Sequence, residues 1–258
     1  MKLPATIVAS LILLAGTLSG QPADRIRVAV YSDVGAGRSL TNLTSSLAAA
    51  EDIEFFRITA DEIRSNKLHG VDVLIHPGGS GGKQGRHLNA EGRDVVRSFV
   101  RQGGGYLGIC AGAYLASNDY EWSLNLIDAK VLDRRHWARG TGTVVLRLSP
   151  AGRRLLRQDG DEFEVYYGQG PLLAPKHDPA VPDYEELAVY RTEIAKKGAP
   201  KGVMPGTTAI ARGHYGAGRV FCFSPHPEKT PALYPLVHRA IRWSAGRPDP
   251  SASASKQP

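Results

Sequence analysis

Cysteine is nearly absent from this chain: of 258 residues, only Cys110 and Cys222 carry a thiol. Neither sits in a Cys-x-x-Cys pair, which excludes the usual zinc and dithiol redox motifs. Two thiols cannot build a disulfide framework. A single bond between them stays open in an exported chain and would silence either sulfur, although Cys222, inside an apolar run, reads better as an inert core thiol. Beyond the N-terminal segment no apolar run is long enough to span a membrane. No internal repeat is visible. The net charge is +7, yet the basic residues are spread rather than gathered into a stripe interleaved with aromatics, so nucleic-acid binding is not expected. The local pairs Arg134-Arg135, Arg153-Arg154 and Lys196-Lys197 read as solvated faces, with an acidic ligand or an anionic surface as the alternative.

What is present falls into three parts. Met1-Lys2, the apolar stretch Leu3 to Leu18 and the small residues up to Gly20 read as a secretory signal over residues 1–20, which predicts an exported, periplasmic or secreted protein. Residues 246–258 are rich in Pro and Ser and poor in apolar bulk, and read as a disordered tail. Between them, residues 25–245 suffice for one large α/β core. Apolar runs at Ile26–Tyr31, Ile53–Ile58, Val71–His76, Tyr106–Ile109 and Arg219–Phe223 read as strands. Helical patterns at Leu40–Ala50, Ala60–Asn66, Ala90–Gln102, Ala111–Ser117 and Pro231–Ser244 fall between or after them. Strands alternating with helices predict a doubly wound, mostly parallel sheet, with functional groups at the strands' carboxyl ends. Short strands at Thr141–Leu148, Glu162–Tyr167, Leu187–Tyr190 and Thr208–Ala211 interrupt that rhythm and predict a small antiparallel extension or a flap.

Three motifs carry chemistry. In Gly105-Tyr-Leu-Gly-Ile-Cys110-Ala-Gly112, a buried strand runs into a cysteine flanked by small residues and followed by a helix. This is the thiol form of a nucleophile elbow, in which a sharp turn lifts the side chain above the sheet. The alternative is a buried small apolar residue. In Ser224-Pro-His226-Pro-Glu228, after another strand, His226 can take the thiol proton and Glu228 can fix the ring's tautomer. His76, also at a strand end, is the reserve base. The glycines of His76-Pro-Gly-Gly79-Ser-Gly-Gly82 offer bare amides, and Gly79 N–H with Ala111 N–H can form a two-donor oxyanion hole. Tyr114, Tyr166 and Tyr167 suit a pocket wall as well as they suit core packing. Asp33, just past the first strand, can receive a ligand amine or cap a turn.

In this order the motifs resemble those of the class I glutamine amidotransferase-like superfamily, and more closely the family named for the N-terminal domain of biotin-protein ligase. Val30-Tyr-Ser-Asp-Val-Gly35, His76-Pro-Gly-Gly79, Leu88-Asn89, Gly105 to Tyr114 and Tyr166-Tyr167 carry the likeness. It implies a flavodoxin-like fold, a Cys110-His226-Glu228 triad and a glutamine-type amide as substrate, with no cofactor and no metal. Where that family tends to have Asn-Gly-Gly after the tyrosines, this chain has Gly168-Gln169-Gly170. No synthetase or biotin-ligase catalytic domain is read in this sequence, so biotin transfer by this chain alone is not expected; the expected partner is a small amide or peptide-like molecule. Two functions follow: an exported thiol hydrolase acting on an amide C–N bond, or a non-catalytic ligand-binding or covalent-sensor module.

Overall fold

The computed structural model describes residues 25–249. The signal segment and the last part of the tail lie outside the described residues. The first part of the described chain alternates β1 (Ile26–Tyr31), α1 (Ser39–Ala48), β2 (Ile53–Ile58), α2 (Ala60–Arg64), β3 (Val73–His76), α3 (Gly81–Arg101), β4 (Gly105–Ile109) and α4 (Ala111–Ala116). β1, β3 and β4 are buried on both faces, as a parallel sheet covered by helices requires, while β2 at the edge is partly exposed. The second part runs β5 (Ala129–Leu132), β6 (Gly142–Leu148), α5 (Pro150–Leu156), β7 (Glu162–Tyr167), β8 (Leu172–Pro175), β9 (Tyr184–Tyr190), β10 (Thr208–Tyr215), β11 (Gly218–Phe223) and α6 (Tyr234–Ser244).

The eleven strands of the described residues join one sheet, in the order β2-β1-β3-β4-β11-β10-β9-β6-β7, with β8 pairing β10 and β5 off that path. Pairing is parallel from β2 through β11 and antiparallel from β11 onward. The α/β class and the doubly wound plan thus hold. The antiparallel part is wider than the four short strands the sequence suggests, because β5 and β8 add a second layer of pairing. It continues the sheet rather than lying over it as a flap.

Two apolar clusters fill the two faces. α1 and α6 contribute Leu43, Leu47, Leu236 and Ile241 to one; α2, α3 and α4 contribute Ile63, Val96, Val100 and Leu115 to the other. The period-two alternation of β11 serves both: Phe221 and Phe223 point to the first, Val220 and Cys222 to the second. Cys110 packs with the first cluster, so the sheet separates the two thiols and both are free. The inert-core reading of Cys222 holds, and burial pushes its thiol well above the usual range.

Helix α3 is longer than its apolar pattern indicates. The pattern begins at Ala90, and Asn89 there does break the helix: its backbone is non-helical (φ 57°) and its Oδ1 accepts the Gly92 N–H at 3.0 Å. The preceding stretch, which opens on glycines, is helical from Gly81 with Ser80 as N-cap. Its glycines answer to packing, since a Cβ on Gly85 would lie 2.3 Å from the Trp122 carbonyl oxygen. At the other end, residues Gly246–Asp249 of the expected tail are held to the body: Arg239 and Arg157 ion-pair with Asp249.

Candidate active site

Strand β4 ends at Ile109, and the next residue has to turn sharply for α4 to fold back along the sheet. Cys110 makes that turn with φ 52° and ψ −96°, a conformation that costs on the order of 1–3 kcal/mol for a side-chain-bearing residue. Its N–H donates to the Phe223 carbonyl of β11 at 2.7 Å, and its own carbonyl accepts from Ala113. The turn is possible only because its inner wall has no side chains: a Cβ on Gly112 would sit 2.1 Å from the His76 carbonyl oxygen. Cys110 is 4 % exposed, and its sulfur points toward the Gly168 carbonyl at 3.6 Å.

The neighbouring strand supplies the imidazole. Beyond β11, His226 donates its backbone N–H to the Tyr166 carbonyl at 2.9 Å. Its ring stands in a slot between two glycines. A Cβ on Gly78 would come within 2.5 Å of the ring's Cε1, and one on Gly168 within 2.5 Å of its Nε2. Nδ1 lies 2.6 Å from Glu228 Oε1. With Nδ1 so engaged, Nε2 is the nitrogen left for Cys110. Burial alone pushes this imidazole down. The charges of Cys110 and Glu228, and hydrogen bonds to both, outweigh it and lift the pKa to about 10. His226 therefore carries a proton at neutral pH, held between a carboxylate and a thiol. Glu228 is buried, and its Oε2 has no partner among the described residues.

The reserve base does something else. His76 is fully buried between the rings of Tyr31 and Tyr106, with Nδ1 2.9 Å from Gln84 Oε1, and burial pushes it down to about 4. Asp33 is likewise a structural residue. Its carboxylate accepts the N–H groups of Val34 and Ala60 and meets His87 Nε2, the turn-capping alternative rather than the ligand contact.

Cys110 opens on a cavity of about 520 Å³ lined by Gly79 to Gly82, Tyr114, Tyr120, Trp122, Arg134, Arg135, Trp137, Gly168 and Gln169. Of the three tyrosines expected there, only Tyr114 is in the wall, its hydroxyl donating to the Gln169 carbonyl at 3.2 Å. Tyr166 faces a separate cavity, with Lys229 Nζ 3.9 Å from its ring centre. Tyr167 is core: it packs edge-on to Tyr190 and donates to the Gly170 carbonyl at 2.9 Å. Strand alternation explains the split, since adjacent residues of β7 face opposite ways. Gly79 lines the cavity, but its φ of 142° and a Cβ position 2.1 Å from the Gly35 oxygen show that packing alone requires glycine there. Ala111 follows Cys110 at the start of α4 and is buried.

Sequence reasoning missed Gly168, which touches both sulfur and imidazole, and the wall formed by Tyr120, Trp122 and Arg134 to Trp137. The departure Gly168-Gln169-Gly170 was the available signal for the first. The Arg-Arg-x-Trp run was the signal for the second.

Comparison with known proteins agrees with this architecture. The structure superposes on that of PurLQS from Thermotoga maritima with a TM-score of 0.62 at 14 % identity, covering 85 % of this chain and 99 % of that one. A putative thua-like protein from Bacteroides uniformis gives 0.60 at 13 %, covering 89 % and 95 %. At such identities the likeness concerns the fold, which is glutamine amidotransferase-like. At the level of sequence, residues 26–146 match the model of the family described as biotin-protein ligase, N terminal, so the resemblance carried by the motifs holds over that stretch. An uncharacterized protein of Chlamydia muridarum is 32 % identical over 94 residues, which is 34 % of this chain and 36 % of that relative's length.

Proposed function

We propose that this protein is a thiol hydrolase of the glutamine amidotransferase-like fold, cleaving an amide C–N bond with Cys110, His226 and Glu228. The observation that carries the reading is the imidazole slot. His226 is clamped between Gly78 and Gly168, with one nitrogen 2.6 Å from a buried carboxylate and the other left for a cysteine on a strained elbow at a cavity. In the attacking form the proton shared by Cys110 and His226 lies on the ring. The Cys110 sulfur attacks the carbonyl carbon, forming a C–S bond. The C–N bond then breaks as His226 passes its proton to the leaving nitrogen. Water next attacks the thioester, giving a proton to His226. The C–S bond breaks, the acid leaves, and the proton again lies between sulfur and ring. Amides of Gly79 and Ala111 are proposed to hold the oxyanion, and Tyr114 to border the acyl group.

Alkylation tests the reading. Iodoacetamide should modify Cys110 at least tenfold faster in the native chain than in His226→Ala, while Cys222 stays unmodified until unfolding. Equal rates in the two proteins would leave a passive thiol and favour a binding module. Turnover should then be sought with amide and peptide libraries, with Cys110→Ser as the control.

Export is part of the proposal, from the composition of residues 1–20. A mature N-terminus just beyond Gly20, read by N-terminal sequencing of the protein from its native cell, is the expected result. Among the described residues, no helix is long and apolar enough to cross a membrane.

A further inference from the structure

The cavity above Cys110 has a character that a generic amide does not require. Two guanidinium groups line it, Arg134 and Arg135, and no carboxylate is among its lining residues. Arg134 lies over the Tyr120 ring at 4.2 Å and ion-pairs loosely with Asp119 at 3.7 Å, on a side chain that is itself half exposed. Arg135 has no ion-pair partner among the described residues. A third guanidinium, that of Arg139, is buried behind the wall, pairs with Asp133 and still leaves Nη1 without a partner; its charge acts on Tyr114.

The remaining wall is aromatic. Tyr120 and Trp122 stack at 4.4 Å, and Trp137 is 56 % exposed at the edge. An indole left this open loses its favourable burial, and it lines the cavity onto which Cys110 opens. The volume, about 520 Å³, falls within the range of roughly 300–1,000 Å³ that holds ligands far larger than a single amino acid.

Resting on the proposed thiol chemistry, we infer that the substrate is an anionic amide with a flat ring. Its scissile carbonyl lies at Cys110 and its ring lies against Trp137 and Trp122. Its anionic oxygen pair, carboxylate or phosphate in kind, lies on the forks of Arg134 and Arg135. A guanidinium fork donates to two such oxygens at once, and flat aromatic faces hold a ring at little entropic cost. Arg134 and Arg135 are then specificity residues, and Trp137 is the lid of the ring site.

Two measurements test this and separate it from the thiol chemistry. The first compares iodoacetate with iodoacetamide at Cys110. Arg134→Gln/Arg135→Gln should lower the iodoacetate rate about tenfold and leave the iodoacetamide rate unchanged. Equal loss with both reagents, or no loss, overturns anion recognition without touching the nucleophile. The second needs no reactive thiol. In Cys110→Ala, tryptophan fluorescence follows binding of hippurate, its phosphonate counterpart and neutral hippuramide. One of the anions should bind about tenfold tighter than hippuramide, and the stronger of the two identifies the anion. The preference should vanish in the double Arg variant, and Trp137→Ala should weaken all three ligands. Equal affinity for charged and neutral ligands would overturn the proposal, even if alkylation confirms an activated thiol.

Discussion

At the scale of single residues the site is governed by glycines that make room and one imidazole that holds charge. Gly168→Ala places a methyl group 2.5 Å from His226 Nε2, so the ring has to leave its slot. Turnover should fall by about 10²-fold or more, because general acid–base work needs hydrogen-bond geometry, while the urea midpoint moves little. A large stability loss with unchanged specific activity would show that the ring is not held for chemistry. His226 also makes stability depend on pH. Its folded pKa of about 10 exceeds the unfolded value, so the folded state binds an extra proton between roughly pH 6.5 and 10. The stabilisation is complete below pH 6.5 and is lost as the pH rises through 10. Thermal melts should therefore fall on the alkaline side in the native chain, and His226→Gln should flatten that limb.

At the scale of elements, α3 is two helices meeting at Asn89. Its side chain caps the second through the Gly92 N–H, in a backbone conformation that asparagine tolerates better than most residues. Asn89→Ala removes both advantages and should cost about 1–2 kcal/mol in urea unfolding. The first half starts at the cavity with Ser80, Gly81 and Gly82, and the second packs Val96 and Val100 on the sheet. The variant should therefore weaken stability more than ligand binding. The alternation of β7 makes a second distinction. Tyr167→Phe strands the buried Gly170 carbonyl and should cost roughly 1–3 kcal/mol, whereas Tyr166→Phe, with its ring on an open cavity, should cost less than 0.5 kcal/mol.

At the scale of the whole molecule, the parallel and antiparallel halves share one sheet, joined where β11 pairs β4 on one side and β10 on the other. The site straddles that seam: Cys110 comes from β4, His226 follows β11, and Gly168 follows β7 of the antiparallel half. Trp243 of α6 lies against Phe221 of β11, and Trp122 and Trp137 lie at the cavity. Tryptophan fluorescence and far-ultraviolet circular dichroism should therefore report one coincident urea transition. Two separated transitions would show halves that fold alone.

The sequence by itself determined the strands of the parallel half, the elbow and the pairing of His226 with Glu228. Each is written locally: apolar runs bounded by polar or turn residues, a cysteine with glycines two positions to either side, and two side chains two positions apart on one turn. It also determined that Cys222 is core, by its place in an alternating strand. Only the tertiary structure decided where Asp33, His76, Tyr166 and Tyr167 face, because each choice depends on a partner elsewhere in the chain: Ala60 for Asp33, Gln84 with two tyrosines for His76, Lys229 for Tyr166, Tyr190 for Tyr167. The glycines of the first half of α3 could not announce a helix, since their absent side chains answer to Trp122 and Ala111 across the cavity. The wall of arginines and tryptophans belongs to the same class: unremarkable as a local run, it becomes a site only where the sheet brings it over Cys110.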